Sequence, residues 1–176
     1  ALQLVAAVNV VANGGTYVSP RLVTGTVTAD GNAVPAAAPA MRDVLTPGVA
    51  ATMRSMLSEV VCFGTGSLAR VPGMTVAGKT GTGYKRQANG TYVKDDGTRA
   101  YFASFVGFLP AAAPEFTVLV SIDEPDPASQ DRFGGTAAAP VFASIAQLLI
   151  AELGVRPPNG DTGCAKDRPA ELGPRG

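Results

Sequence analysis

The sequence predicts an α+β domain in which an antiparallel sheet is flanked by helices. Residues 101–109 (YFASFVGFL) and 116–123 (FTVLVSID) both read as strands, and only six residues, PAAAPE, join them. A parallel crossover needs a dozen or more, so the pair is an antiparallel hairpin. Apolar, alanine-rich stretches at helical spacing stand near both ends of the chain, which places helices against that sheet. With 176 residues, 46% hydrophobic and 16% charged, the chain has the length and the apolar content for one packed domain.

The elements follow in order. Residues 1–15 (ALQLVAAVNVVANGG) set Leu4, Val5, Val8, Val11 and Ala12 at helical spacing, and Gly14-Gly15 supplies the left-handed residue that commonly ends a helix. The β-branched run 16–27 reads as extended and leads to an Asp30-Gly31 turn. Residues 33–41 are a Pro/Ala linker without periodicity. Thr46-Pro47 is an N-cap followed by proline at the first helical position. It opens a helix over 47–61 whose face Val49, Met53, Met56, Leu57 and Val60 is expected in the core, and Gly64 and Gly66 break it. A strand at about 74–82 precedes a polar loop at about 83–99, with Tyr84 and Lys85 on the loop surface. After the hairpin, Asp123, Glu124 and Asp126 read as an acidic hairpin end rather than a carboxylate site. A helix over 136–153 is stopped by Gly154. This organisation gives a folded portion over 1–154 and a disordered polar tail over 155–176, rich in Pro, Gly and charge.

What is missing narrows the chemistry. Lys+Arg and Asp+Glu balance at 14 each, which gives no electrostatic case for nucleic acid or an anionic membrane. Histidine is absent, so Ser-His-Asp and Cys-His constellations are excluded. Cys62 and Cys164 are too far apart in sequence for a zinc or iron–sulfur motif, and no metal or cofactor is expected. The favoured reading of the pair is a free thiol and a tail cysteine, with a Cys62–Cys164 disulfide as the minority alternative. No run of about 18 apolar residues is expected to span a membrane. The chain opens at Ala1 inside a helix-like pattern rather than at methionine, which predicts further sequence upstream.

The stretch 73–85, GMTVAGKTGTGYK, carries the decisive motif. Its first eight residues fit the phosphate-cradling pattern G-x-x-x-x-G-K-[ST]. That reading needs a strand ending at Gly73 and a helix starting at Lys79. Instead a loop ending in Pro72 precedes Gly73, two glycines follow Thr80, and Met-Thr-Val-Ala looks like strand. Residues 118–123 (VLVSID) imitate the magnesium-holding strand of such enzymes, but they belong to the antiparallel hairpin. The surviving reading is Lys79-Thr80-Gly81, the K-T-G triplet of serine penicillin-binding enzymes, on a strand facing a cleft.

Three stretches in order carry a resemblance to a known family: 12–23 (ANGGTYVSPRLV), 64–85 (GTGSLARVPGMTVAGKTGTGYK) and 134–145 (GGTAAAPVFASI). Over residues 1 to 153 the chain resembles the C-terminal part of the transpeptidase domain of class B penicillin-binding proteins, of the septal and elongation type. The resemblance implies a partial serine β-lactamase/D,D-transpeptidase-like fold. It also implies a serine that attacks the D-Ala-D-Ala end of a peptidoglycan stem peptide and passes the acyl group to a neighbouring amine, with β-lactams acylating the same serine. Lys79 and Thr82 are then catalytic, and Lys79, Thr80, Gly81 and Thr82 bind substrate. Lys79 would attract the terminal carboxylate and support the proton network. The hydroxyls of Thr80 and Thr82, at i and i+2 on one strand face, would donate to that carboxylate. Gly81 would let a peptide backbone lie close, and the Thr82 amide would serve the oxyanion.

The family also needs S-x-x-K and S-x-N, and no serine of this chain has lysine three residues on or asparagine two residues on. The chain alone is therefore expected not to acylate. Its partners by resemblance are the stem peptide, β-lactams, the upstream part of its own domain, and divisome or elongasome membrane proteins, at the outer face of the bacterial cytoplasmic membrane. The alternatives are a related β-lactamase or β-lactam-sensing domain, and a non-catalytic module that binds a partner along its sheet edge.

Overall fold

The structure, a computed structural model, describes residues 1–126, 129 and 131–164. Its centre is a three-stranded antiparallel sheet in the order β5–β6–β7, with β5 over Ala77–Tyr84, β6 over Tyr101–Leu109 and β7 over Phe116–Asp123. Thr80 pairs with Phe105, and Phe105 with Val120. Residues paired across a ladder point to the same side, so these three share one face. On that face the closing helix α3, Ala139–Leu153, sets Phe142 against Phe105 at 4.8 Å between ring centroids. Val61, Val76, Leu109, Ala138 and Ala146 belong to the same cluster. A second cluster on the opposite face joins Ala77, Phe108 and Ala111 to Val11 and Ala12 of the opening helix α1, Leu2–Ala12.

Helix α2, Pro47–Phe63, starts as its sequence dictates: Thr46 Oγ1 accepts from the Val49 amide at 3.4 Å and Pro47 opens the first turn. Its buried side differs from the predicted one. Met56 is 63% exposed and Val49 and Met53 are also exposed, whereas Ala50, Val61 and Cys62 are buried, with Leu57 packed against the second cluster. The helix is apolar around much of its circumference, so periodicity alone does not select a stripe. The side that wins is the one carrying Ala50, Leu57 and Val61, which packs α2 against β5. In α1 the buried set is likewise rotated, to Ala6, Val10, Val11 and Ala12. Residues 33–41 are not a plain linker. Two short ladders form there: Gly25–Val27 (β2) with Ala33–Pro35 (β3), and Thr16–Val18 (β1) with Met41–Asp43 (β4). Gly15, at φ +107, is required where the chain turns into β1, because a Cβ there would stand 2.1 Å from the Leu45 carbonyl oxygen.

The hairpin over 101–123 forms as predicted. At its open end Lys85 pairs with Asp123 at 2.7 Å and Glu124 at 2.9 Å, and Lys94 reaches Glu124 at 3.2 Å. Tyr84 and Lys85 are thus not plain loop surface. Tyr84 ends β5 and packs against Tyr101, with the Arg99 guanidinium over its ring. The segment Gly134–Leu153 is long and apolar enough, at mean hydropathy 1.6, to cross a bilayer by length and composition, which the sequence reading did not anticipate. Here its Ala139, Phe142, Ala143 and Ala146 side is buried against the sheet, as in a core helix.

Two expectations for the C-terminal region are overturned. Cys62 and Cys164, separated by 102 residues, form a disulfide; α3 returns the chain to the end of α2, which sequence distance cannot reveal. The disordered tail expected from residue 155 does not begin there. Asp161 accepts from the Thr75 amide at 3.1 and 3.0 Å, from Thr75 Oγ1 at 2.7 Å and from the Gly163 amide at 2.9 Å. The predicted tail beyond residue 164 lies outside the described residues. Burial opposes ionisation of Asp161, yet the hydrogen bonds from Thr75 and Gly163 outweigh it and hold its carboxyl below the usual carboxylate range.

Phe105→Ala should cost about 3–5 kcal/mol in a urea melt, because Phe105 is fully buried against Phe142. The depressed Asp161 carboxyl stabilises the fold above its unfolded pKa of about 3.9 and loses that contribution as pH falls through the lower folded value. The melting-temperature gap between wild type and Asp161→Asn should therefore be constant near neutrality and narrow below about pH 3.9.

Candidate functional site

Ladder geometry determines how the 79–82 stretch presents its groups. The Lys85 amide donates to the Ala100 carbonyl at 2.9 Å, continuing the register in which Tyr84 faces Tyr101. Hydrogen-bonded pairs alternate along an antiparallel ladder, so residues 79, 81 and 83 bond toward β6. The amides and carbonyls of Thr80 and Thr82 point the other way, along the outer edge of β5. Side chains alternate too: Thr80 and Thr82 stand on the α3 face, and Lys79 and Gly81 on the opposite one. Lys79 is thus mid-strand, and no helix starts at it. The phosphate-loop arrangement is excluded.

Lys79 nevertheless reaches the threonines. Its Nζ donates to the Thr80 carbonyl at 3.1 Å and to Thr80 Oγ1 at 3.0 Å, wrapping around the open edge. Thr80 Oγ1 lies 3.1 Å from Thr65 Oγ1. Thr82 Oγ1 accepts from the Gly134 amide at 3.0 Å, which leaves its hydroxyl proton free to donate. A cleft of about 380 Å³ opens here, lined by Thr80, Thr82, Thr65, Ser67, Leu68, Phe133, Gly135 and Thr136. Its rim therefore combines one ammonium, several hydroxyls and two outward amides. Such a set suits a carboxylate and an extended backbone. A larger hollow, about 580 Å³, lies between α2 and residues 158–163 and contains none of the residues 79–82.

The far wall is a π-helical turn, Gly134–Ala138. A Cβ on Gly134 would stand 2.3 Å from the Ser104 carbonyl oxygen and 2.4 Å from that of Gly81. One on Gly135 would meet the Thr65 carbonyl oxygen at 2.5 Å. Only a glycine pair lets this turn rest on β5. Gly81 itself faces Ser104, whose Oγ a Cβ would approach to 2.5 Å.

All four predicted site residues, Lys79, Thr80, Gly81 and Thr82, lie together at this edge. Asp123 and Glu124 are instead engaged by lysines at the far end of the hairpin. The sequence reading missed Thr65, Leu68 and Phe133. Thr65 sits between the helix-breaking Gly64 and Gly66, a position read only as a stop. No metal-holding group of His, Cys, Asp or Glu occurs among the described residues.

The model of the penicillin binding protein transpeptidase domain family matches residues 1–147. The chain is 37% identical over 158 residues to stage V sporulation protein D of Bacillus subtilis, covering 89% of this chain and 23% of that protein. It is 36% identical over 157 residues to penicillin-binding protein PbpB of Mycolicibacterium smegmatis, covering 85% and 24% respectively. It therefore spans about a quarter of the length of these relatives. Among solved structures, penicillin binding protein 3 of Mycobacterium tuberculosis complexed with aztreonam superposes with a TM-score of 0.76 at 31% identity, over 94% of this chain and 38% of that one. The same protein complexed with ampicillin gives 0.76 at 30% identity, with the same coverage.

Gly134→Ala should lower stability by about 1–3 kcal/mol, since the added methyl cannot fit between two carbonyls. Gly48→Ala, with open space around its Cβ, should be neutral or slightly stabilising. Paired denaturant melts of the two variants make this comparison.

Proposed function

Because the chain belongs to the penicillin-binding protein transpeptidase family, we propose that it supplies the K-T-G wall of a peptidoglycan-cross-linking, penicillin-binding site. The observation that carries this reading is the convergence, on one open strand edge, of the Lys79 ammonium, the Thr80 and Thr82 hydroxyls and the outward Thr82 amide. A stem peptide ending in D-Ala-D-Ala lies along β5 as an added strand, its carboxylate held by Lys79 and the two threonine hydroxyls. Its scissile carbonyl then falls beside the Thr82 amide, which donates to the oxyanion as it forms. Loss of one such donor costs about 2.7–4 kcal/mol in a comparable enzyme. A β-lactam, whose carboxylate and strained carbonyl mimic that peptide end, takes the same place.

The nucleophile comes from outside this chain, because no S-x-x-K or S-x-N is present in it. This chain therefore provides binding, orientation and oxyanion stabilisation, and the serine and its lysine base stand on the facing wall. The assembled site would work on the outer face of the cytoplasmic membrane, where peptidoglycan is cross-linked.

The chain alone should take up no fluorescent penicillin. Combined with the S-x-x-K- and S-x-N-bearing segment of its domain, it should support labelling of that segment's serine, and Lys79→Ala should slow labelling by about 10²-fold or more. A pair that remains unlabelled would overturn the assignment.

A further inference from the structure

The C-terminal segment 155–164 touches the two chain segments that lead directly into the cleft. Asp161 holds Thr75, just ahead of β5, through the Thr75 amide and hydroxyl. Cys164 is bonded to Cys62, near the end of α2 and just ahead of Thr65. Gly163 fits tightly against the chain just ahead of Thr75, since a Cβ there would come within 3.3 Å of the Met74 amide nitrogen. The end of α2 is gripped further by Arg70, whose Nε donates to the Val61 carbonyl at 3.2 Å and whose Nη2 donates to that of Cys62.

Between these attachments and the end of α3 the segment has little beneath it. Val155 packs on the core, but residues 158–160 roof the hollow of about 580 Å³ over Ala51, Arg54, Ser55 and Ser58. The segment is thus pinned at its far end by one carboxylate and one disulfide, with sparse packing before them.

We propose that this strap positions the cleft: by linking the end of α2 to the start of β5, it fixes Thr65 against Thr80, so that opening the Cys62–Cys164 bond weakens the site without removing any group that touches substrate. The consequence is redox dependence. A thiol reductant opens the disulfide by exchange, taking up its oxidation, and leaves two free thiols on the protein. Asp161 then holds the far end of the strap alone. The α2 end and the β5 entry move more independently, and the 3.1 Å contact between the Thr65 and Thr80 hydroxyls loosens. Cys62, Cys164 and Asp161 are positioning residues in this account, acting through Thr65 and Thr75.

This inference rests on the transpeptidase reading, and its test separates the two. The chain is combined with the nucleophile-bearing segment, and fluorescent-penicillin acylation is timed for the oxidised form, the form reduced by dithiothreitol, and Cys164→Ser. Acylation of the oxidised pair should proceed, and reduction or Cys164→Ser should slow it by about tenfold, less than the roughly 10² that a 1 Å misplacement costs. In the chain by itself, the methyl resonances of Thr65 and Thr80 should shift on reduction and return on reoxidation. Failure of every form to label would refute the transpeptidase reading. Equal rates for oxidised and reduced forms, with two free thiols confirmed by mass and Thr65 and Thr80 unmoved, would overturn the strap. Should Cys164→Ser prove unfolded by circular dichroism, the reversible reduction and its resonance shifts still decide.

Discussion

Everything at the cleft follows from the register of β5 on β6. With Lys85 bonded to Ala100 and Thr80 opposite Phe105, every second residue of β5 turns its amide outward, and the K-T-G stretch falls so that both threonines do so. A shift by one residue would reverse the pattern. The threonine hydroxyls would leave the α3 face and the Thr82 amide would enter the ladder. The register is itself set by packing. Phe105 must meet Phe142 on one face and Phe108 the α1 side on the other, and Gly78 leaves room for the Phe105 ring, which a Cβ would approach to 2.5 Å.

Around that ladder, small residues fix distances and polar ones fix directions. The Gly134–Gly135 pair lets a turn settle on the strand, and the amide so delivered orients the Thr82 hydroxyl. Lys79 starts on the wrong face to line the cleft directly, and its length solves the problem by carrying the ammonium around the edge to Thr80. A flexible, compact cation suits this position better than the planar guanidinium of an arginine.

Much of the fold was legible because its strongest signals are local. Two apolar strands with a six-residue link admit one pairing, and Thr46-Pro47 and Gly154 mark helix ends by mechanisms confined to a few residues. What stayed hidden depends on contacts distant in sequence. The face α2 buries was ambiguous since several of its sides are apolar. The Cys62–Cys164 bond and the Asp161–Thr75 contact join residues whose proximity only the return of α3 creates. At the site, the motif located the strand and its pattern of faces. It could not locate Thr65 or Phe133, which arrive from other elements and carry no spacing signal of their own.

The outward amides and carbonyls of β5 also make this edge an unfinished piece of secondary structure. Apart from the Thr80 carbonyl, which Lys79 Nζ reaches at 3.1 Å, these groups pair with solvent or with an added strand, so peptide binding under the proposed function would be an exchange of solvent for main chain rather than the filling of an empty slot. Such an exchange rewards any extended backbone of suitable length, whatever its side chains. Under the proposed function, discrimination would then come from the end of the ligand, where a lone negative charge would meet Lys79.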